Sequence, residues 1–128
     1  MLFRSEVMSA SGTEAVRTAL ALGNQLVPIF GKSRVEVNDP EAYAKSLMDE
    51  VLSHWTLPDT RVAVLQDWMK GRRGEVDDIN GLVAREQRRL GGSAPINEKL
   101  VEIAMMIESG ALKADPSNVG LLLSLLQN

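Results

Sequence analysis

The punctuation of this chain constrains its fold more than any other feature. Asp39-Pro40 and Asp115-Pro116 each set a capping residue before a proline at a first helical position, and Pro58-Asp59 marks a further start. Gly23, Gly71, the Gly91-Gly92 pair and Gly110 stand where helical runs should stop. Between these marks apolar residues recur at helical spacing, and no strand is needed anywhere to account for the pattern. About six helices joined by short loops make an all-α domain.

Length and composition narrow the class. The chain has 128 residues, enough for one core and too few for two ordinary domains, so residues 1–128 read as a single helical domain. A net charge of −3 gives no reason to propose nucleic acid or an anionic membrane as partner. Cysteine is absent, which removes disulfides and thiolate metal sites and fits a cytoplasmic, reducing setting. No signal-peptide pattern opens the chain, and its longest apolar run, Val119 to Leu126, is far short of a membrane span. Aromatic residues are only 4%, so the core must be built from Leu, Val, Ile, Met and Ala.

Taken in order, Leu2 to Leu22 places Val7, Ala10, Ala15, Ala19 and Leu20 on one helical face. Ser11-Gly12-Thr13-Glu14 either breaks this run into two helices or caps the second of them. Asn24 to Asn38, with Pro28 and Gly31, reads as a loop, extended around Leu26 to Phe30. After Asp39-Pro40 a buried face runs through Ala44, Leu47, Met48, Val51 and Trp55. After Pro58-Asp59 a stripe runs through Val62, Leu65, Trp68 and Met69. Asn97 reads as the cap of a later helix with Leu100, Ile103, Ala104 and Ile107 inward. Val119 to Leu126 is apolar on most sides and should dock on its own core or on a second subunit.

The stretch Gly71 to Glu98 stands out. Gly71 and Gly74 bracket Arg72 and Arg73, and Glu75, Asp77 and Asp78 suit the first turn of a helix. Val76, Ile79, Val83 and Leu90 recur at helical spacing, with Arg85, Arg88 and Arg89 on the remaining arc as a solvated face or a subunit salt-bridge set. Asn80-Gly81 interrupts the pattern, since Gly inside a helix costs roughly 1 kcal/mol against Ala. Its presence points to close packing or, less simply, to ligand contact.

A search for general chemistry is mostly negative. Gly31-Lys32-Ser33 ends like a phosphate-binding loop, but the first Gly of that motif would fall at Leu26. No G-x-G-x-x-G occurs. The lone His54, beside Trp55, reads as a surface or packing residue rather than a base. Met48, Met69, Met105 and Met106 read as core filler.

Several short elements do agree in order and spacing. Leu65-Gln66-Asp67, Gly71-Arg72, Gly74-Glu75-Val76-Asp77, Ile79-Asn80-Gly81 and Ala94-Pro95-Ile96-Asn97-Glu98 follow one another. This series resembles the C-terminal domain of ketopantoate reductase (2-dehydropantoate 2-reductase), where Leu-Gln-Asp, Gly-Arg, Thr-Glu-Ile-Asp, Ile-Asn-Gly and Thr-Pro-Val-Asn-Glu occur in that order. The resemblance covers roughly Leu2 to Glu108 and leaves Ala111 to Asn128 as an extra segment.

The resemblance implies a helical domain like the C-terminal domain of 6-phosphogluconate dehydrogenase. In whole relatives that domain packs against a Rossmann domain. A 2-oxo acid lies between the two, with hydride from NADPH, in pantothenate biosynthesis. It also implies a homodimer. By this resemblance Glu75 is the catalytic glutamate that contacts substrate and works with a lysine, and Thr60 and Arg72 join it in substrate binding. A carboxylate at a helix start beside two arginines is well placed for that work.

The departures are equally specific. These 128 residues carry no Rossmann domain and no helix bearing the catalytic lysine, and Lys32 stands in the wrong context to replace it. Thr60, Val62 and Ala63 occupy positions where the family has substrate-binding Asn and Ser, and Gly74 replaces the Thr of Thr-Glu. The expectation is therefore a chain that binds neither cofactor nor metal alone and does not catalyse alone. A separate Rossmann domain would be its partner. The alternatives are a non-catalytic helical interaction module that keeps the fold, or a small-molecule binding domain centred on Glu75 and Arg72.

Overall fold

The computed structural model describes residues 2–30 and 39–127, the first three as backbone only. Gly31 to Asn38, with the Gly31-Lys32-Ser33 stretch, lie outside the described residues. Six α-helices and no strand form the described part. They are α1 (Leu2–Ala21), α2 (Pro40–Glu50), α3 (Ala63–Met69), α4 (Val76–Arg89), α5 (Pro95–Glu108) and α6 (Gly120–Leu126). The fold is all-α, as the punctuation implies. The helices fall into two compact units, residues 1–59 and 60–128.

In the first unit α1 packs on α2. α1 runs unbroken through Ser11-Gly12-Thr13-Glu14. Gly12 serves the packing instead: a Cβ there would lie 3.4 Å from the Ala44 Cβ, so the two helices meet closely at this point. Thr13 and Thr18 are buried on the same helix, and each hydroxyl donates to the carbonyl four residues back, Ser9 at 2.8 Å and Glu14 at 2.7 Å. Back-bonding of this kind lets a polar side chain enter a core with its hydroxyl satisfied. α2 starts as the sequence indicates, with the Asp39 carboxylate accepting from the amides of Glu41 and Ala42 and Pro40 in the first turn. The Tyr43 hydroxyl donates to the Val27 carbonyl at 2.9 Å and ties the preceding loop to α2.

Trp55 departs from the expected buried face and is 67% exposed. Residues Val51–Trp55 form a π-helical turn, whose wider repeat carries the last side chain off the stripe begun by Ala44, Leu47 and Met48. Its ring pairs with Phe30 at 5.7 Å instead.

In the second unit α4 packs on α5, and α6 packs on α5. The buried residues of α4 are Val76, Gly81 and Ala84, so of the expected series Val76 is buried and Val83 half-buried. Ile79 and Leu90 are exposed. Spacing weighs bulk, yet two of the three buried residues of this helix are small. Gly81 has a local reason as well. The Arg85 guanidinium reaches back over it to the Asp77 carboxylate at 3.0 Å and the Asp77 carbonyl at 3.2 Å. A Cβ at Gly81 would sit 2.5 Å from that carboxylate and 2.7 Å from the guanidinium.

α5 begins at Pro95 with Ala94 as N-cap, so Asn97 is not the cap. Its side chain is buried, at 1% exposure, and its amide oxygen accepts from Asn80 of α4 at 2.8 Å. Ile103 and Ala104 are buried as expected, with Leu100 and Ile107 half-buried. Met69 and Met105, expected in the core, are exposed. α3 starts at Ala63 rather than at Pro58-Asp59, and Val62, Leu65 and Met69 face outward. In a helix of only two turns, half-buried Val64 and Trp68 set the inward side.

The last segment is capped as its sequence suggests. The Asp115 carboxylate accepts from the Ser117 hydroxyl and from the Ser117 amide at 2.8 Å, ahead of a short 3-10 turn (Pro116–Val119). Leu122 is the side chain that α6 buries, so the tail docks on its own unit. The two Ser117 hydrogen bonds hold the Asp115 carboxyl below its ordinary 3.8. A carboxyl lowered in the folded state stabilises it above the unfolded value and loses that contribution as pH falls through the folded value. As pH falls below 3.8 the protection of the Ser117 amide, relative to its intrinsic exchange, should therefore fall in wild type, and in Asp115→Asn this added pH dependence should vanish. Hydrogen exchange followed by NMR reads both.

Candidate functional site

Of the three residues singled out for substrate contact, Arg72 and Glu75 share the turn between α3 and α4, and Thr60 stands ahead of α3. α3 separates Thr60 from Arg72 by about 10 Å of helix, from its seven residues at 1.5 Å each. All three side chains are exposed.

The turn is built from its backbone. Gly71 ends α3 at φ 67°, a conformation that an L side chain resists. Its amide donates to the Trp68 carbonyl at 3.0 Å and the Arg72 amide donates to Asp67 at 2.8 Å. These two bonds close the last turn of α3 and turn the chain toward α4. The Gln66 side chain donates to the Arg61 carbonyl at 2.8 Å and holds the segment ahead of α3. Residues of the Leu65-Gln66-Asp67 element thus shape the chain on both sides of the helix. Val76 is buried at the start of α4 and anchors the far end of the turn.

Charge on the turn is distributed unevenly. The Arg73 guanidinium lies 3.5 Å from the Asp77 carboxylate and 3.9 Å from that of Asp78. Asp77 also pairs with Arg85. Among the described residues, the side chains of Arg72 and Glu75 have no hydrogen-bond or ion-pair partner, not even each other. Glu75 occupies the N-cap position without capping with its side chain, so the plain helix-start role falls to Asp77 and Asp78. A free cation and a free acceptor, three residues apart on one turn, can receive a small molecule carrying a carboxylate and a hydroxyl or carbonyl. Arg88 and Arg89 are engaged within the chain, with Glu98 at 3.4 Å and with Glu86 at 2.7 Å. His54 is exposed, 4.0 Å from Glu50.

Glu108 is a part of the site that sequence reasoning missed. One of its carboxylate oxygens accepts from the Gly74 amide at 2.8 Å and from the Trp68 indole at 3.2 Å. A sign of this was available: Glu108 sits in the last turn of α5, where a negative charge opposes the helix dipole. A groove of about 420 Å³ lies elsewhere, between α5 and α6, with Pro95, Lys99, Leu121 and Leu125 among its walls. It includes none of Thr60, Arg72 and Glu75.

An all-helical domain whose α3–α4 turn bears these residues defines the class. Residues 3–108 match the family model described as Ketopantoate reductase PanE/ApbA C terminal, and the chain belongs to that family. The match spans α1 to α5, and the 3-10 turn and α6 lie beyond it. No curated protein and no solved structure matches the chain. No helix among the described residues is long and apolar enough to cross a membrane.

Proposed function

We propose that this chain is the substrate-side, dimer-forming domain of a cytoplasmic NADPH-dependent 2-oxo acid reductase of the ketopantoate reductase kind, acting in pantothenate biosynthesis and not catalytic alone. The observation that carries this reading is the pair of unpartnered side chains on the α3–α4 turn, Arg72 and Glu75. Arg72 takes the carboxylate of the 2-oxo acid. Glu75 accepts a hydrogen bond from the substrate's hydroxyl group and orients it, and Thr60 contributes a hydroxyl at the edge. The family membership supports the assignment of these positions.

NADPH, bound by a separate Rossmann domain, supplies the hydride, and no residue of this chain is assigned to the nucleotide. The chain's own task is to bind and orient the oxo acid so that its carbonyl carbon faces the incoming hydride. A second copy of the chain is the expected partner as well. The exposed apolar strip of Leu65 and Met69 on α3 and Val62 at its N-cap supports a covered surface of this kind.

Calorimetric titration with ketopantoate tests the assignment. Arg72→Ala and Glu75→Ala should each weaken binding about tenfold or more, the loss expected for a charge-assisted hydrogen bond. Both side chains are exposed, so thermal unfolding should stay within about 0.5 kcal/mol of wild type. Binding as tight as wild type in both variants would remove the two residues from the site. Light scattering that finds a monomer at the titration concentration would remove the dimer.

A further inference from the structure

We infer that Glu108 is a positioning residue for substrate binding, holding the α3–α4 turn so that Arg72 and Glu75 face the oxo acid together. This rests on the assignment of those two residues above. Glu108 stands 34 residues beyond Gly74, at the end of α5, yet a single oxygen of its carboxylate accepts both the Gly74 amide at 2.8 Å and the Trp68 indole at 3.2 Å. Gly74 lies between Arg72 and Glu75, so the backbone linking the two substrate groups is pinned near its middle.

Two further observations point the same way. Gly74 is buried, and a Cβ there would lie 3.2 Å from the Val64 side chain, 3.5 Å from the Trp68 indole nitrogen and 3.7 Å from the Glu108 oxygen. A side chain at this position would crowd Val64, while Trp68 and Glu108 stand at ordinary contact distance around the backbone amide. Glu108 also gains nothing from its own helix, since a carboxylate in a last turn faces the negative end of the dipole. Its contribution lies in the contacts it makes outside α5. Trp68 completes the clasp, because its indole fixes the same oxygen and joins α3 to the turn.

The test uses the full chain, labelled with nitrogen-15, and three variants. Glu108→Ala removes the acceptor. Glu108→Gln keeps an amide oxygen of the same reach. Trp68→Phe removes the indole donor but leaves the Gly74 bond. In Glu108→Ala the Gly74 amide and Trp68 indole resonances should move upfield, and ketopantoate binding should weaken on the order of tenfold, because small misplacements of binding groups are costly. Glu108→Gln should restore both the resonances and most of the affinity. Trp68→Phe should fall between wild type and Glu108→Ala.

Wild-type affinity in Glu108→Ala with displaced resonances would overturn the inference, since the clasp would then exist without positioning anything. Failure of Glu108→Gln to recover affinity while it recovers the resonances would overturn it also. Absence of ketopantoate binding in wild type would defeat the substrate assignment itself and this inference with it. The resonances would then report the clasp as purely structural.

Discussion

Ile103→Ala should lower the unfolding free energy by about 2–5 kcal/mol, the range for deleting a buried aliphatic side chain from a packed core. Ile103 is buried on α5, the helix that packs on both α4 and α6. Aromatic residues are only 4% of the chain, so aliphatic side chains of this kind carry most of the burial. Leu100 on the same helix is half-buried, and Leu100→Ala should cost less by its smaller buried area. Urea unfolding followed by circular dichroism measures both, with a lowered midpoint at unchanged slope as the expected signature. Equal costs at the two positions, or a negligible cost at Ile103, would refute the packing of α5.

Asn97→Ala should cost about 1–3 kcal/mol, the penalty for leaving a buried polar group without its partner. The Asn97 side chain is the largest that is fully buried among the described residues, and its amide oxygen accepts from Asn80 at 2.8 Å. Removing it strands the Asn80 amide between α4 and α5 and opens a cavity. Asn80→Ala in the same background should then cost less than it does in wild type, because its partner is already gone. The double-mutant cycle should return a coupling of about 0.5–3 kcal/mol. Strictly additive costs would mean that the two amides do not depend on each other.

Helix boundaries were more legible in the sequence than helix faces. Starts such as Asp39-Pro40 and Asp115-Pro116 rest on hydrogen bonds to amides two or three residues away, so the local sequence contains the whole device. Stops such as Gly71 rest on a backbone conformation that one residue supplies. Faces depend on which neighbour arrives. In α4 Val76, Gly81 and Ala84 are buried, whereas Ile79 and Leu90, which spacing rules favour for their bulk, are exposed. Capping is the commonest local use of Asn at a helix start, and local sequence therefore favours a cap at Asn97. Its actual partner, Asn80, lies 17 residues back and comes close only through the pairing of α4 with α5.

The candidate site divides in the same way. Arg72 and Glu75 were visible as members of an ordered series of short elements. The rationale that two arginines steady Glu75 does not match the geometry, since Arg73 turns to Asp77 and Asp78. Arg72 and Glu75 both remain open instead. Glu108 was invisible because its contacts to Gly74 and Trp68 arise only when α5 is in place.

Amide chemical-shift mapping of the nitrogen-15-labelled chain during titration with ketopantoate tests the central claim most directly. A substrate-side domain should show perturbations centred on Arg72 to Glu75, extending to Thr60 and saturating together with a single affinity. Perturbations confined to other surfaces, such as the groove between α5 and α6, or none at saturating ketopantoate, would contradict it.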